Sequence, residues 1–119
     1  MWKSQTFKTF QWNIGGALTY NKESNLCCIY KLINKLKPQI ITLQWAHVDN
    51  NLNQIQKIAQ KCRYKYWASD NYSISHLDKT KMLAQGIIST FPVKKHRFSY
   101  FYLKKLLWSS LKTIYSFPF

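Results

Sequence analysis

The sequence predicts an α/β layered fold, and three observations predict it. Strand-like alternation at residues 6–14 gives way to helical spacing at residues 22–36, and a short apolar run follows at residues 39–44. A second helical stretch precedes another strand at residues 64–68. Two further strand-like runs then follow without a helix between them, which argues for antiparallel pairing late in the chain. With 119 residues, the chain suffices for one small domain with a single core.

The elements can be justified in order. In TFKTFQWNI, Phe10, Trp12 and Ile14 fall on one face and Thr9, Gln11 and Asn13 on the other, the period of a strand. Gly15 and Gly16 end it and open a flexible loop. Over residues 22–36, Leu26, Ile29 or Tyr30, Ile33 and Leu36 recur at three and four residues, opposite Lys31, Lys35 and Lys37. This predicts an amphipathic helix capped by Asn21 or Ser24 and stopped before Pro38. Residues 39–44 follow as a buried strand. A second helix is expected over residues 50–62 on a stripe of Leu52, Ile55, Ile58, Ala59 and Cys62, with Asp49 or Asn50 as its cap. YKYWA at 64–68 reads as a strand, residues 69–84 as a long polar loop, GIISTF at 86–91 as a strand closed by Pro92, and RFSYFYL at 97–103 as another. The tail fits a basic helix with Leu103, Leu107, Leu111 and Ile114 on one face, an edge strand, or an appendage foreign to the fold.

Eighteen Lys and Arg stand against Glu23, Asp49, Asp70 and Asp78, a formal charge of +14. Such a field favours anionic partners: nucleic acid, phosphorylated small molecules or an acidic membrane surface. Lys, Ile and Asn are also what A/T-rich codons supply. The scarcity of acids is the sharper constraint, because phosphoryl chemistry with a hard cation needs carboxylates to hold it. Cys27, Cys28 and Cys62 lack CxxC spacing and read as small buried or half-buried hydrophobes in a reducing compartment. No apolar run reaches membrane-spanning length and MWKSQTFKTF lacks a signal-peptide core, so the expected location is cytoplasmic.

Three segments in this order, FQWNIGG at 10–16, KPQIITLQW at 37–45 and AQGIISTFPV at 84–93, resemble the endonuclease/exonuclease/phosphatase family of metal-dependent phosphoesterases. The resemblance covers about residues 5–102, with 103–119 as an atypical tail of a single truncated domain. It implies the amino-terminal half of a layered α/β sandwich, with a mixed sheet carrying two helices on one side. It implies a Mg²⁺ cofactor in the family, and phosphoester or nucleic-acid substrates. It places Asn13 where the family's Asn helps to hold the scissile phosphate.

It also places Trp45 where the family carries its metal-binding Glu. An indole offers no acceptor lone pair to a cation. His47, read as a loop residue, and Asp49, read as the next helix's cap, are weak replacements. His76 and Tyr72 lie in the stretch where some members place a substrate-contacting His or Tyr. The family's later Asp-x-Asn and Asp-His motifs have no counterpart, since no Asp follows Asp78, no Asn follows Asn71, and Lys95 precedes the last histidine, His96. The expectation is a chain that binds no Mg²⁺ and hydrolyses no phosphoester, with no small-molecule cofactor. Two alternatives accompany it: a non-catalytic basic module for nucleic acid or another anionic surface, and completion by a complementing chain.

Overall fold

The structure, a computed structural model, describes residues 7–97 except Tyr20 and Lys22, together with residues 113–116. Four strands form one mixed sheet in the order β1-β2-β4-β3, where β1 is Thr9–Asn13, β2 Ile40–Val48, β3 Tyr66–Ile74 and β4 Met82–Ser89. β1 and β2 run parallel, joined by helix α1 (Leu26–Leu36). β4 pairs antiparallel with β2 on one side and with β3 on the other. Helix α2 (Gln54–Lys61) links β2 to β3. A separate antiparallel pair joins β5 (Lys94–Arg97) to β6 (Thr113–Ser116).

The apolar periods decide which faces meet. Ile41 pairs with Ile88 and Leu43 with Gly86, so these positions share one face of the sheet. Ile29 and Ile33 of α1 and Ile55, Ile58 and Ala59 of α2 pack against that face in one buried cluster. Both helices therefore lie on the same side, as the resemblance implies. Each fully buried Ile or Leu contributes about 1.5–3 kcal/mol relative to exposure. Gly86 is required for this approach: a Cβ there would fall 2.7 Å from Ile55 Cδ1. Phe10 and Trp12 of the edge strand β1 pack half-buried against the same core.

Several boundaries differ from the sequence expectation, each for a local reason. α1 begins at Leu26, and its cap position is Asn25 without a side-chain bond; neither Asn21 nor Ser24 fills that role. It ends at Lys37, which turns left-handed (φ 47) and donates its N–H to Ile33 O. α2 is capped by Asn53, whose side chain accepts from Ile55 N and Gln56 N, not by Asp49 or Asn50. Asp49 Oδ1 instead accepts from the Asn51 and Leu52 amides, forming a turn ahead of the helix. Gly15 and Gly16 form a one-turn 3-10 segment with Ala17, and Gly16 is buried. Cys62 is buried, but Cys27 and Cys28 are exposed, because the buried stripe of α1 runs through Ile29 and Ile33 instead.

The expected loop at 69–84 is mostly sheet. β3 continues to Ile74 and β4 starts at Met82, leaving a short turn between them. Polar side chains hid this, because β3 is an edge strand whose outer half is largely exposed. The expected strand at 97–103 meets the described residues at Arg97, the end of β5; the rest lies outside them. Of the tail, only 113–116 is described, and it is extended in β6. Among the described residues no helix is long and apolar enough to cross a membrane.

Candidate functional site

The site grows from two irregularities in neighbouring strands. Along β2, Leu43 pairs with Gly86 and Ala46 with Ala84, so β2 carries one residue more than its partner. Trp45 sits in that bulge at φ 59, a left-handed conformation unusual for a bulky side chain. On the opposite flank of β4, Asn71 pairs with Ala84 and Ser73 with Leu83, which makes Tyr72 the extra residue of a second bulge. Both bulges fall beside residues 83–86 of β4. Bulges re-aim side chains, and these two bring Trp45 and Tyr72 toward one another. Burial raises the pKa of the Tyr72 hydroxyl, and a hydrogen bond from the Trp45 backbone N–H pulls the other way.

His76 completes the cluster. Its ring stands edge-on to Trp45, with centroids 4.7 Å apart and planes at 80°. Trp45 is 36% exposed and His76 is exposed, so the cluster forms an open aromatic surface. Asn13 ends β1 beside Gln44, one position from Trp45 along the ladder. Its Oδ1 turns back to accept from Gly15 N at 3.1 Å. Of the residues singled out in the sequence, the structure thus brings Trp45, Tyr72 and His76 together and sets Asn13 on the adjoining strand.

Beneath this surface lies a buried polar network that the sequence reading misses. His47 belongs to β2, not to a loop, and is 3% exposed. Its Nε2 lies 2.7 Å from Ser75 Oγ. That hydroxyl oxygen already accepts from the Leu77 and Asp78 amides, so its proton goes to Nε2 and the imidazole proton sits on Nδ1. Burial, aided by the nearby Lys81 charge, lowers the His47 pKa and favours this neutral form. Gln54 ties the network to the 3-10 turn: its Oε1 accepts from His47 N at 2.8 Å and its Nε2 donates to Gly16 O at 2.8 Å. The imidazole rests on Gly16, where a Cβ would fall 2.7 Å from Nδ1 and 2.8 Å from Nε2. One sequence signal was available. Apolar residues resume at Ala46 and Val48 after Trp45, as in a strand that continues past a bulge.

The residues present do not fit a divalent cation. Trp45 has no donor atom for it, and the Asn13 oxygen is engaged by its own turn. His47 Nε2 is engaged by Ser75. Asp49 Oδ1 is held by two amides and its Oδ2 lies 3.4 Å from Lys81 Nζ. Those amides, Asn51 first, and Lys81 hold the Asp49 carboxyl below the usual range. Among the described residues no three His, Cys, Asp or Glu side chains gather.

The same architecture occurs in a solved structure. The chain is similar to the crystal structure of an endonuclease/exonuclease/phosphatase from Beutenbergia cavernae DSM 12333, with a TM-score of 0.60 and 14% identity. The match covers 78% of this chain and 29% of that one. The fold is shared. At this identity the likeness concerns the fold alone, and the chain spans less than a third of its neighbour's length. No family model and no curated protein matches the sequence.

Proposed function

We propose that this chain is a distant relative of the metal-dependent phosphoesterases whose site no longer binds Mg²⁺ or hydrolyses phosphoesters. One observation carries the reading: Trp45, at the position matched to the family's metal carboxylate, lies in a bulge edge-on to His76. A carboxylate there would supply an anionic oxygen to the cation that stabilises charge on the phosphate. The indole supplies none. The aromatic cluster of Trp45, Tyr72 and His76 leaves a surface suited to contact and stacking rather than to metal chemistry. A second chain completing the sandwich would bring further groups but would leave position 45 without its carboxylate.

The test is hydrolysis of bis(p-nitrophenyl) phosphate with Mg²⁺, by the native chain and by Trp45→Glu. Neither is expected to exceed the metal-only background, because several members of the catalytic unit are missing together. Measurable turnover by either protein would overturn the proposal.

A second reading is a non-catalytic basic module for an anionic polymer. It draws on the +14 charge, eighteen Lys and Arg against four Asp and Glu.

A further inference from the structure

Among the described residues, one end of the strand axis carries cations without acids, whereas the opposite end mixes acids with Lys79 and Lys81. At the end where β2 and β3 begin and both helices finish, Lys8, Lys35, Lys37, Lys61, Arg63 and Lys65 are all exposed. No carboxylate lies in these segments. Three of the four acids sit at or toward the opposite end, with Asp49 after β2, Asp78 in the β3–β4 turn and Glu23 before α1. The fourth, Asp70, is buried within β3.

Helix ends explain part of this. Terminal carbonyls favour cations, as Lys35 and Lys61 in the last turns and Lys8 Nζ on Leu36 O illustrate. They do not explain Lys37 and Arg63. Each follows a helix in the left-handed region, at φ 47 and φ 63, where glycine is the unstrained choice. Two strained positions thus carry long cations, and they flank one cleft. That cleft, of about 480 Å³, is lined by Asn34, Lys37, Lys61, Arg63, Tyr64 and Thr90. Three cations stand there beside the Asn34 amide, while the Tyr64 and Thr90 hydroxyls donate to Pro38 O and Gln39 O.

The geometry points to a docking surface for the phosphodiester backbone of a nucleic acid at this basic pole, with Lys37 and Arg63 contacting phosphates. The class of partner rests on the second reading above; the location does not depend on the aromatic cluster at the other end of the sheet. A membrane surface fits less well, because apolar anchors would be needed beside the cations. Among the described residues, the exposed large hydrophobics Trp45, Ile74 and Leu77 lie at the other end, and Phe7 near the pole.

The test is fluorescence anisotropy of a labelled single-stranded oligonucleotide, titrated with the full chain at several salt concentrations. The variants are Lys37→Gly/Arg63→Gly, which remove charge while relieving the backbone, and Lys57→Gln/Lys79→Gln, which remove equal charge away from the pole. The glycine pair should melt no lower than the native chain, yet bind about 25-fold more weakly at 0.1 M salt, with a salt slope smaller by about 1.4. The control pair should lose less than about threefold, since exposed charges beyond a Debye length are screened. Equal losses in the two pairs would overturn the location while leaving the second reading standing. Absence of binding by the native chain would overturn both. Tighter capture by phosphatidylserine vesicles, abolished by the glycine pair, would replace the nucleic acid with a membrane and overturn the proposal.

Discussion

The two halves of β2 are built on different principles. From Ile40 to Leu43 the strand is regular, and alternate side chains enter the core: Ile41 and Leu43 are fully buried beneath the helices. From Gln44 to Val48 it is bulged, with a left-handed Trp45 and a buried His47 whose ring bonds Ser75 and whose backbone N–H donates to Gln54. The first half is stabilised by apolar area. The second holds its shape by satisfying polar groups, which demand particular partners rather than a hydrophobic pattern. A substitution in the first half therefore tests volume, and one in the second tests hydrogen-bond completeness.

The largest effect should come from the regular half. Leu43→Ala removes a fully buried side chain beneath two helices and should lower stability by about 3–4 kcal/mol, measured by urea unfolding. Should the loss be below about 1 kcal/mol, the site would have collapsed around the cavity and the contrast between the halves would weaken.

In the bulged half, Ser75→Ala takes the donor from His47 Nε2 and the acceptor from two backbone amides. It should destabilise by about 2 kcal/mol despite the small change in volume. Hydrogen exchange at Leu77 and Asp78 should quicken at the same time. A neutral result would show that the network contributes no more than solvent does.

The buried imidazole also gives the two halves different pH behaviour. The pKa of His47 is lowered in the fold, so between its ordinary value near 6.5 and the lower folded value the unfolded chain binds more protons. Stability should be level above that window and decline as the pH falls through it, by at most about 1.4 kcal/mol per pH unit. Melts at pH 7.5, 6.5 and 5.5 would show the decline, and His47→Gln should remove most of it. Asp49 and Asp78, whose pKa values are also lowered, add their own loss only at more acidic pH, as their carboxylates protonate.

The smallest effect should be at the bulge itself. Trp45→Gly removes the edge contact with His76 but suits φ 59, and the two changes should leave stability within about 1 kcal/mol of the native chain. A loss well beyond that, read by the same urea series, would mean the indole is a structural wedge rather than a surface group.

Much of the architecture is legible in the sequence because helix and strand periods are local. Ile29 and Ile33, and Ile55, Ile58 and Ala59, mark the buried helix faces without any knowledge of what they meet. The site is legible only in part. Trp45, Tyr72 and His76 can be singled out, yet nothing in the chain says that Trp45 and Tyr72 occupy facing bulges. A bulge is a mismatch between two strands, and either strand alone carries no trace of its partner's count. His47 escaped for a related reason: its burial depends on Gly16, Gln54 and Ser75, none of them its neighbour in sequence. Asp49 offered the right chemistry for a helix cap, but Asn53 stands nearer the first turn of α2 and takes the amides instead.

The strand order has a consequence for how the chain comes to be folded. β4 lies between β2 and β3, yet it is synthesised after both. As the polypeptide leaves the ribosome, β1, α1 and β2 can assemble while β3 still lacks any neighbour in the sheet. Only when residues 82–89 emerge does a single strand join the two parts, closing an open edge on each. The last-made strand of this sheet is its keystone, so assembly should be late and concerted, and a nascent chain halted before Met82 would expose two unpaired edges to its surroundings.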